Sequence, residues 1–266
     1  MNSGPVDRHR AEATEVLAGG EAAEIKRLYV DLGDDLWEAH AGDPDSVPLF
    51  SLAGTHPVVA DALSEVRGLV LDAGCGPNPA LSISLASGPR RTVSLDIGLG
   101  TVRSALAVAR ARGVELIGVV GDVEALPFRS GAFDAVACDD TIEHLPDDRA
   151  GVSELARVVR PGSPVVIATP NRRSLGILRL KAIDRLRGRS KPAASYFVSN
   201  SHLREYTWNE LGDLVEPVLR VEERRGVRFD GHRAPALLVR VANPLVVRWP
   251  FRGVSPMLVL VTTSRR

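Results

Sequence analysis

Five short apolar runs in this 266-residue chain each stop at residues able to do chemistry. The first ends in Asp72-Ala73-Gly74-Cys75-Gly76, the second in Asp96, the third in Gly121-Asp122, the fourth in Asp139-Asp140 and the fifth in Thr169-Pro170-Asn171. Glycines in a turn let a ligand press against backbone where a Cβ would clash. Asp96 lies twenty-two residues after Gly74, where an acid can accept both hydroxyls of a ribose. Asp122 can accept from an exocyclic amine. A glycine turn followed by acids at two successive run ends describes a nucleoside site. A pyrophosphate site would want a helix N-terminus without the extra acids. The dinucleotide fingerprint G-x-G-x-x-G fails, because its third glycine would fall at Pro79.

Beyond the fourth run, Asp140, Glu143 and His144 stand at i, i+3 and i+4, which shares one face if that loop enters a helical turn. His202 and Tyr206 sit just before a helix start at Thr207, with Glu210 three residues on as its capping partner. His40, His56 and His232 read as structural or surface residues. Cys75 and Cys138 read as small core residues.

The elements that must hold these groups follow from periodicity. Ile25, Leu28, Leu32 and Leu36 recur at helical spacing within a helical stretch over about residues 10–40, broken at Gly42-Asp43-Pro44-Asp45. His56-Pro57 opens a second helix through Val59, Leu63 and Val66. From residue 68 apolar runs alternate with amphipathic stretches: strands at 68–72, 92–96, 114–120, 133–138 and 164–168, with a small-residue helix after Gly76 and helices at 101–112 and 147–159. That alternation implies parallel strands covered on both faces, joined by right-handed crossovers. Late strands at 221–229 and 257–263 have no strong helix between them and suit an antiparallel pair. The expected fold is an α/β doubly wound, Rossmann-like, mostly parallel seven-stranded sheet with an antiparallel edge. In such a sheet, ligands bind beyond the carboxyl ends of the strands.

Acidic and basic residues number 33 each, so the chain is neutral, a poor profile for a dedicated nucleic-acid binder. The charge is uneven: residues 1–45 hold eleven acids against four bases, whereas 172–191 hold eight bases against one acid. In the basic segment Leu175, Leu178, Ala182 and Leu186 repeat at helical spacing between arginines. Such a helix can rest on an anionic membrane surface or an anionic substrate, or face the acidic N-terminal segment. Val246, Trp249, Pro250 and Phe251 could line an apolar pocket or pack at the sheet edge. No apolar run exceeds five residues, as in Met257–Val261, far short of the ~20 needed to span a bilayer. With no secretory signature at the N-terminus and only two cysteines, the expected setting is a reducing cytoplasm.

Five segments, in register over about residues 58–215, resemble class I S-adenosylmethionine-dependent methyltransferases of the small-molecule and quinone type. They are Leu71-Asp-Ala-Gly-Cys-Gly76, Ser94-Leu-Asp-Ile97, Gly121-Asp-Val-Glu-Ala-Leu-Pro-Phe128, Phe133-Asp-Ala-Val136 with Glu143-His-Leu-Pro-Asp147, and Leu155-Ala-Arg-Val-Val-Arg-Pro-Gly162 with Ala168-Thr-Pro-Asn171. Asn78 departs from the family, which often has a third glycine there; asparagine is the next most tolerant residue at positive φ. The resemblance implies S-adenosyl-L-methionine as cofactor. Asp72, Gly74, Cys75 and Gly76 would form the turn on its methionine part. Asp96 would take the ribose hydroxyls, Ile97 pack on the adenine, Asp122 with Val123 take the adenine amine, and Asp139 lie near the amino-acid end. His144, His202 and Asp140 are the implied catalytic candidates, and Tyr206 and Arg172 the substrate-facing ones. Asp140, Glu143 and His144 resemble the metal-binding cluster of some quinone O-methyltransferases, but the expectation is a metal-free site in which the Glu-His pair orders the loop, with His144 a candidate general base.

Residues 1–55 would form an N-terminal helical cover, 56–266 the catalytic domain, and 172–206 a variable substrate cover. The expected activity is methyl transfer to a small organic acceptor, at oxygen, by a monomer or homodimer. The alternatives are a lipid, prenylated or polyanionic acceptor held at a membrane by 172–191, and a catalytically silent cofactor-binding protein. Asp139-Asp140-Thr141-Ile142 replaces the Asn/Asp-Pro-Pro-Tyr/Phe of DNA-amino methyltransferases, which argues against an adenine-amine target.

Overall fold

The structure is a computed structural model that describes residues 21–49, 54–189, 202–227 and 254–265. The described residues form seven strands and seven α-helices. The strands are β1 Gly68–Ala73, β2 Arg90–Asp96, β3 Ile117–Val120, β4 Ala135–Asp139, β5 Pro164–Pro170, β6 Leu219–Gly226 and β7 Met257–Ser264. The helices are α1 Ala22–His40, α2 Thr55–Ala62, α3 Ala80–Leu85, α4 Leu99–Ala111, α5 Asp148–Val158, α6 Leu175–Leu186 and α7 Trp208–Val215. One sheet runs in the order β3-β2-β1-β4-β5-β7-β6. β1 to β5 are parallel, while β7 pairs antiparallel with both β5 and β6.

Alternate residues of the central strands feed two cores, as the pleat requires. Leu71, Val136 and Ile167 pack on one face with Leu155 and Leu211, while Val70, Ala135 and Val166 pack on the other with Val59, Leu63 and Leu85. All of β4 is buried, which is why its sequence reads as an unbroken apolar run. The chain winds outward from β1 to β2 and β3, then returns to lay β4 on the opposite side of β1. That reversal opens a crevice past the ends of β1 and β4.

The elements depart from sequence expectation at their ends. α1 begins at Ala22, started by a capping box between Glu21 and Glu24; the part of the expected helix before residue 21 lies outside the described residues. α2 stops at Ala62 and leaves Val66 beyond it. β3 begins at Ile117 instead of Val114, because the Val114 N–H closes the end of α4 on the Ala109 carbonyl and β2 pairs only with Ile117–Val120. β4 begins at Ala135, because Phe133 bridges to Val159 instead. β6 carries a bulge between Val221 and Glu223, and the expected end of that strand at 228–229 lies outside the described residues. The Thr207–Glu210 capping box forms at α7 as the sequence predicts.

Candidate active site

The glycine turn after β1 is held by its neighbours. Gly74 has φ +83°, and a Cβ there would fall 2.3 Å from the Thr141 hydroxyl, so only glycine lets the loop after β4 close against the end of β1. Gly76 has φ +61° and open space where its Cβ would be. Its N–H donates to Asp96 Oδ2 at 3.1 Å, and the Gly98 N–H donates to Asp96 Oδ1 at 3.1 Å. One carboxylate therefore ties together the turns after β1 and β2. Burial pushes the Asp96 carboxyl above its ordinary range, against the pull of those backbone donors.

A cavity of about 300 Å³ opens over this turn, at the lower end of the range for small-molecule sites. Gly74, Gly76, Asp96, Ile97, Asp122, Val123, Asp140 and His144 all line it. So do Lys26, Tyr29, Leu32 and Leu36 from α1. The apolar stripe of α1 thus includes pocket wall as well as core. Two of its side chains reach site residues directly. Lys26 Nζ donates to Asp122 Oδ2 at 2.6 Å and to Glu124. The Tyr29 hydroxyl lies 2.8 Å from His144 Nδ1. Sequence reasoning missed both residues, although Lys26 is one of just three lysines among 33 basic residues.

The residues after β4 do not share a helical face. Asp140 has φ +49°, in the left-handed region that aspartate tolerates better than most residues, and only Ile142–His144 form a turn of 3-10 helix. Asp140 and His144 face the cavity, while Glu143 is fully buried and accepts from the Thr169 hydroxyl at 2.9 Å. Burial drives the Glu143 carboxyl up to about 8, opposed by its hydrogen bonds. Burial and the neighbouring Glu143 also push Asp140 well above the carboxylate range, with His202 opposing. His202 packs edge to face on His144, with ring centroids 4.9 Å apart. Among the described residues Glu143, His144 and His202 offer ligand atoms within 4.8 Å of one another. The Nδ1 atoms of His144 and His202 are engaged by Tyr29 and by Glu205, respectively.

Several expected site residues fall outside the cavity wall. Tyr206 is buried in the core and donates to Asp148 at 2.8 Å; it braces the loop instead of facing substrate. Arg172 pairs with Glu210 on α7. Asp72 lies beneath the turn, accepts from Ser82, and is raised to about 7 by burial. Asp139 points to α2, accepting from the Thr55 hydroxyl at 2.7 Å; burial, then Asp140, push it well above its ordinary value. Asp139 continues the face of Ala135 and Ala137 toward α2, whereas Asp140 lies past the strand end at positive φ and reaches the cavity. Cys75 and Cys138 are buried free thiols, raised first by burial. His232, Trp249, Pro250 and Phe251 lie outside the described residues.

A glycine cradle, a ribose-side acid and an amine-side acid on successive ends of a doubly wound parallel sheet define a nucleoside-cofactor enzyme of the Rossmann-like kind. Residues 71–167 match the family model described as a methyltransferase domain. The ubiquinone biosynthesis O-methyltransferase of Hahella chejuensis is 32% identical over 162 residues, covering 57% of this chain and 63% of that protein. Its counterpart from Xanthomonas oryzae pv. oryzae is 28% identical over 219 residues, covering 79% and 86%. The fold matches magnesium protoporphyrin IX methyltransferase from Synechocystis PCC 6803, solved with bound SAH, at a TM-score of 0.60 and 17% identity, over 92% of this chain and all of that one (100%). Over residues 71–167 the chain is similar to class I S-adenosylmethionine-dependent methyltransferases, and S-adenosylmethionine is the cofactor that this likeness implies. The open space at Gly76 and the pocket-facing Asp96 and Asp122 fit that cofactor.

The buried Glu143 gives the stability a measurable pH dependence. Its carboxyl ordinarily titrates near 4.5 and here near about 8. Between those values the folded protein holds a proton that the unfolded chain has released, so stability falls as pH rises. His56, pulled down to about 4 by burial, has the opposite slope below its ordinary value near 6.5. Thermal unfolding of wild type and Glu143→Gln separates the two. The wild type is expected to lose stability relative to the variant between about pH 4.5 and 8. A difference that does not change with pH would mean that Glu143 is ionised throughout.

Proposed function

We propose that this protein methylates a hydroxyl of a small organic acceptor, with His144 as the group that takes the acceptor's proton. One observation carries the reading. The His144 imidazole lines the cavity beside the glycine turn and already sits 2.8 Å from a phenolic oxygen, that of Tyr29. The arrangement supports an imidazole able to meet an acceptor hydroxyl. The O-methyltransferase names of the relatives support oxygen as the target.

When bound, the cofactor supplies a sulfonium methyl: the acceptor oxygen forms the O–C bond, the C–S electron pair goes to sulfur, and the acceptor proton remains to be taken up. Gly76 leaves room for the cofactor's approach, Gly74 lets Thr141 close against the turn, and Asp96 and Asp122 orient the cofactor. In this reading His144 Nδ1 carries the hydrogen and donates to the Tyr29 oxygen, which leaves the lone pair on Nε2 for the acceptor's proton. Leu32, Leu36, Leu145 and Pro146 give the cavity apolar wall, which restricts water around the reacting atoms. The network at Glu143, His144 and His202 works in this reading without a metal.

A second reading concerns α6. Leu178, Leu180 and Leu186 are 41%, 54% and 88% exposed, on a helix that also carries Arg179, Lys181 and Arg185. Exposed leucines among cations favour peripheral contact with an anionic membrane, which would present a lipid-borne acceptor. None of the α6 residues lines the cavity.

Three measurements check these readings. Asp96→Ala is expected to weaken cofactor binding by roughly 10- to 100-fold, from the loss of charged hydrogen bonds; unchanged calorimetric affinity in the folded variant would remove Asp96 from the site. Turnover of hydroxylated aromatic acceptors, read as demethylated cofactor, should fall by about 10² or more in His144→Ala and survive dialysis against a chelator. Loss on chelation with recovery on adding a divalent ion would make Glu143, His144 and His202 metal ligands. Co-sedimentation with vesicles rich in phosphatidylglycerol should be salt-sensitive and lost in Leu180→Asp/Leu186→Asp; no binding at low ionic strength would leave a freely diffusing acceptor.

A further inference from the structure

Behind the cavity wall lies a second carboxylate–imidazole contact that the cofactor site does not use. His202 Nδ1 is 3.0 Å from Glu205 Oε1, with the two side chains 6% and 0% exposed. With the Glu205 carboxylate as the acceptor, this contact puts the proton on Nδ1 of His202. The lone pair of the neutral ring is then on Nε2. The His202 ring in turn stands edge to face on His144, with an interplanar angle of 74°. The segment cannot drift, because the Leu203 N–H donates to the Glu143 carbonyl at 3.0 Å and Arg204 is paired with Asp148.

We propose that Glu205 is a positioning residue of the acceptor site: its buried carboxylate fixes the tautomer and orientation of His202, and His202 holds the His144 imidazole where it meets the acceptor hydroxyl. The inference rests on His144 as the proton acceptor. Glu205 itself touches neither cofactor nor acceptor; it acts through two rings. The groups facing the pair are Asp140 from the end of β4, Glu143 and His144 from the turn, and Tyr29 from α1. The negative charge of Glu205 also favours the imidazolium that forms when the acceptor's proton arrives. In the transfer itself the acceptor O–H bond breaks and its proton would go to His144 Nε2, while the acceptor oxygen would take the methyl of the bound cofactor and the C–S electron pair would stay on sulfur. A carboxylate set behind a histidine is a general device for raising its basicity and fixing its ring.

The tautomer is read without any activity assay. Nitrogen-15 spectra of the full-length protein, assigned with His202→Gln, are expected to show His202 protonated at Nδ1 and bare at Nε2. Glu205→Gln keeps the size but removes the charge, and its amide can donate to Nδ1 as well as accept from it, so the single tautomer of His202 should be lost and an Nδ1-bare form appear. In that variant kcat should fall about 10- to 100-fold, toward the lower end of what a general base contributes, with the calorimetric affinity for S-adenosylmethionine unchanged. Glu205→Asp should recover part of the rate and the original tautomer. A wild-type His202 bare at Nδ1 would overturn the proposal, as would a folded Glu205→Gln protein with wild-type kcat. If Glu205→Gln fails to fold, the wild-type spectrum and Glu205→Asp still decide. A wild type that turns over no hydroxylated acceptor would defeat the methyl-transfer reading itself while leaving the tautomer result standing.

Discussion

The site depends on one carboxylate. Asp96 receives the N–H groups of Gly76 and Gly98, so the turns after β1 and β2 are fixed relative to each other by a single side chain. Backbone N–H groups near a buried charge need an acceptor, and the charge needs donors to offset its desolvation. Each requirement satisfies the other. The same carboxylate faces the cavity, where a ribose would add hydroxyl donors. In the proposed reading, structural tie and ligand contact would reside in the same two oxygens, and the turn is held in shape by the tie alone.

Around that tie the parallel strands deliver polar groups to one edge, and α1 crosses it. Lys26 reaches Asp122 and Tyr29 reaches His144, one helical turn apart. The helix spans the cofactor side and the acceptor side of the cavity together. It also packs closely on α4, where the Gly100 N–H donates to Asp34. A displacement of α1 would thus be felt at both ends of the site.

The strand ends were readable from sequence because they are local signals. Asp96 and Asp122 each end an apolar run, and their partners Gly98 and Glu124 lie two residues away. The doubly wound, mostly parallel character of the sheet and its antiparallel edge followed from alternation and crossover handedness. Lys26, Tyr29 and Thr141 were not readable: they meet partners 96, 115 and 67 residues distant, and only packing sets such contacts. The placement of Asp139 against Asp140 turned on which residue of a pair points which way at a strand end, where the regular alternation stops. Tyr206 beside His202 suggested a shared substrate face, yet the buried Asp148 contact takes its hydroxyl. Glu205 gave no signal of its own, since a lone acid before a helix is common.

The antiparallel edge sets an order of assembly. β7 follows β6 in sequence but lies between β5 and β6 in the sheet. On the ribosome, where chains emerge N-terminus first, β6 has no strand to pair with until β7 has been made. Until then β5 is an open edge whose Val165 and Ile167 carry unpaired backbone groups, an invitation to pairing with another chain. The glycine turn and both nucleoside acids have emerged by that time. A nascent chain can therefore hold a nearly complete cofactor crevice while its sheet is still unfinished, and cofactor bound at that stage would favour the compact half over an aggregating one.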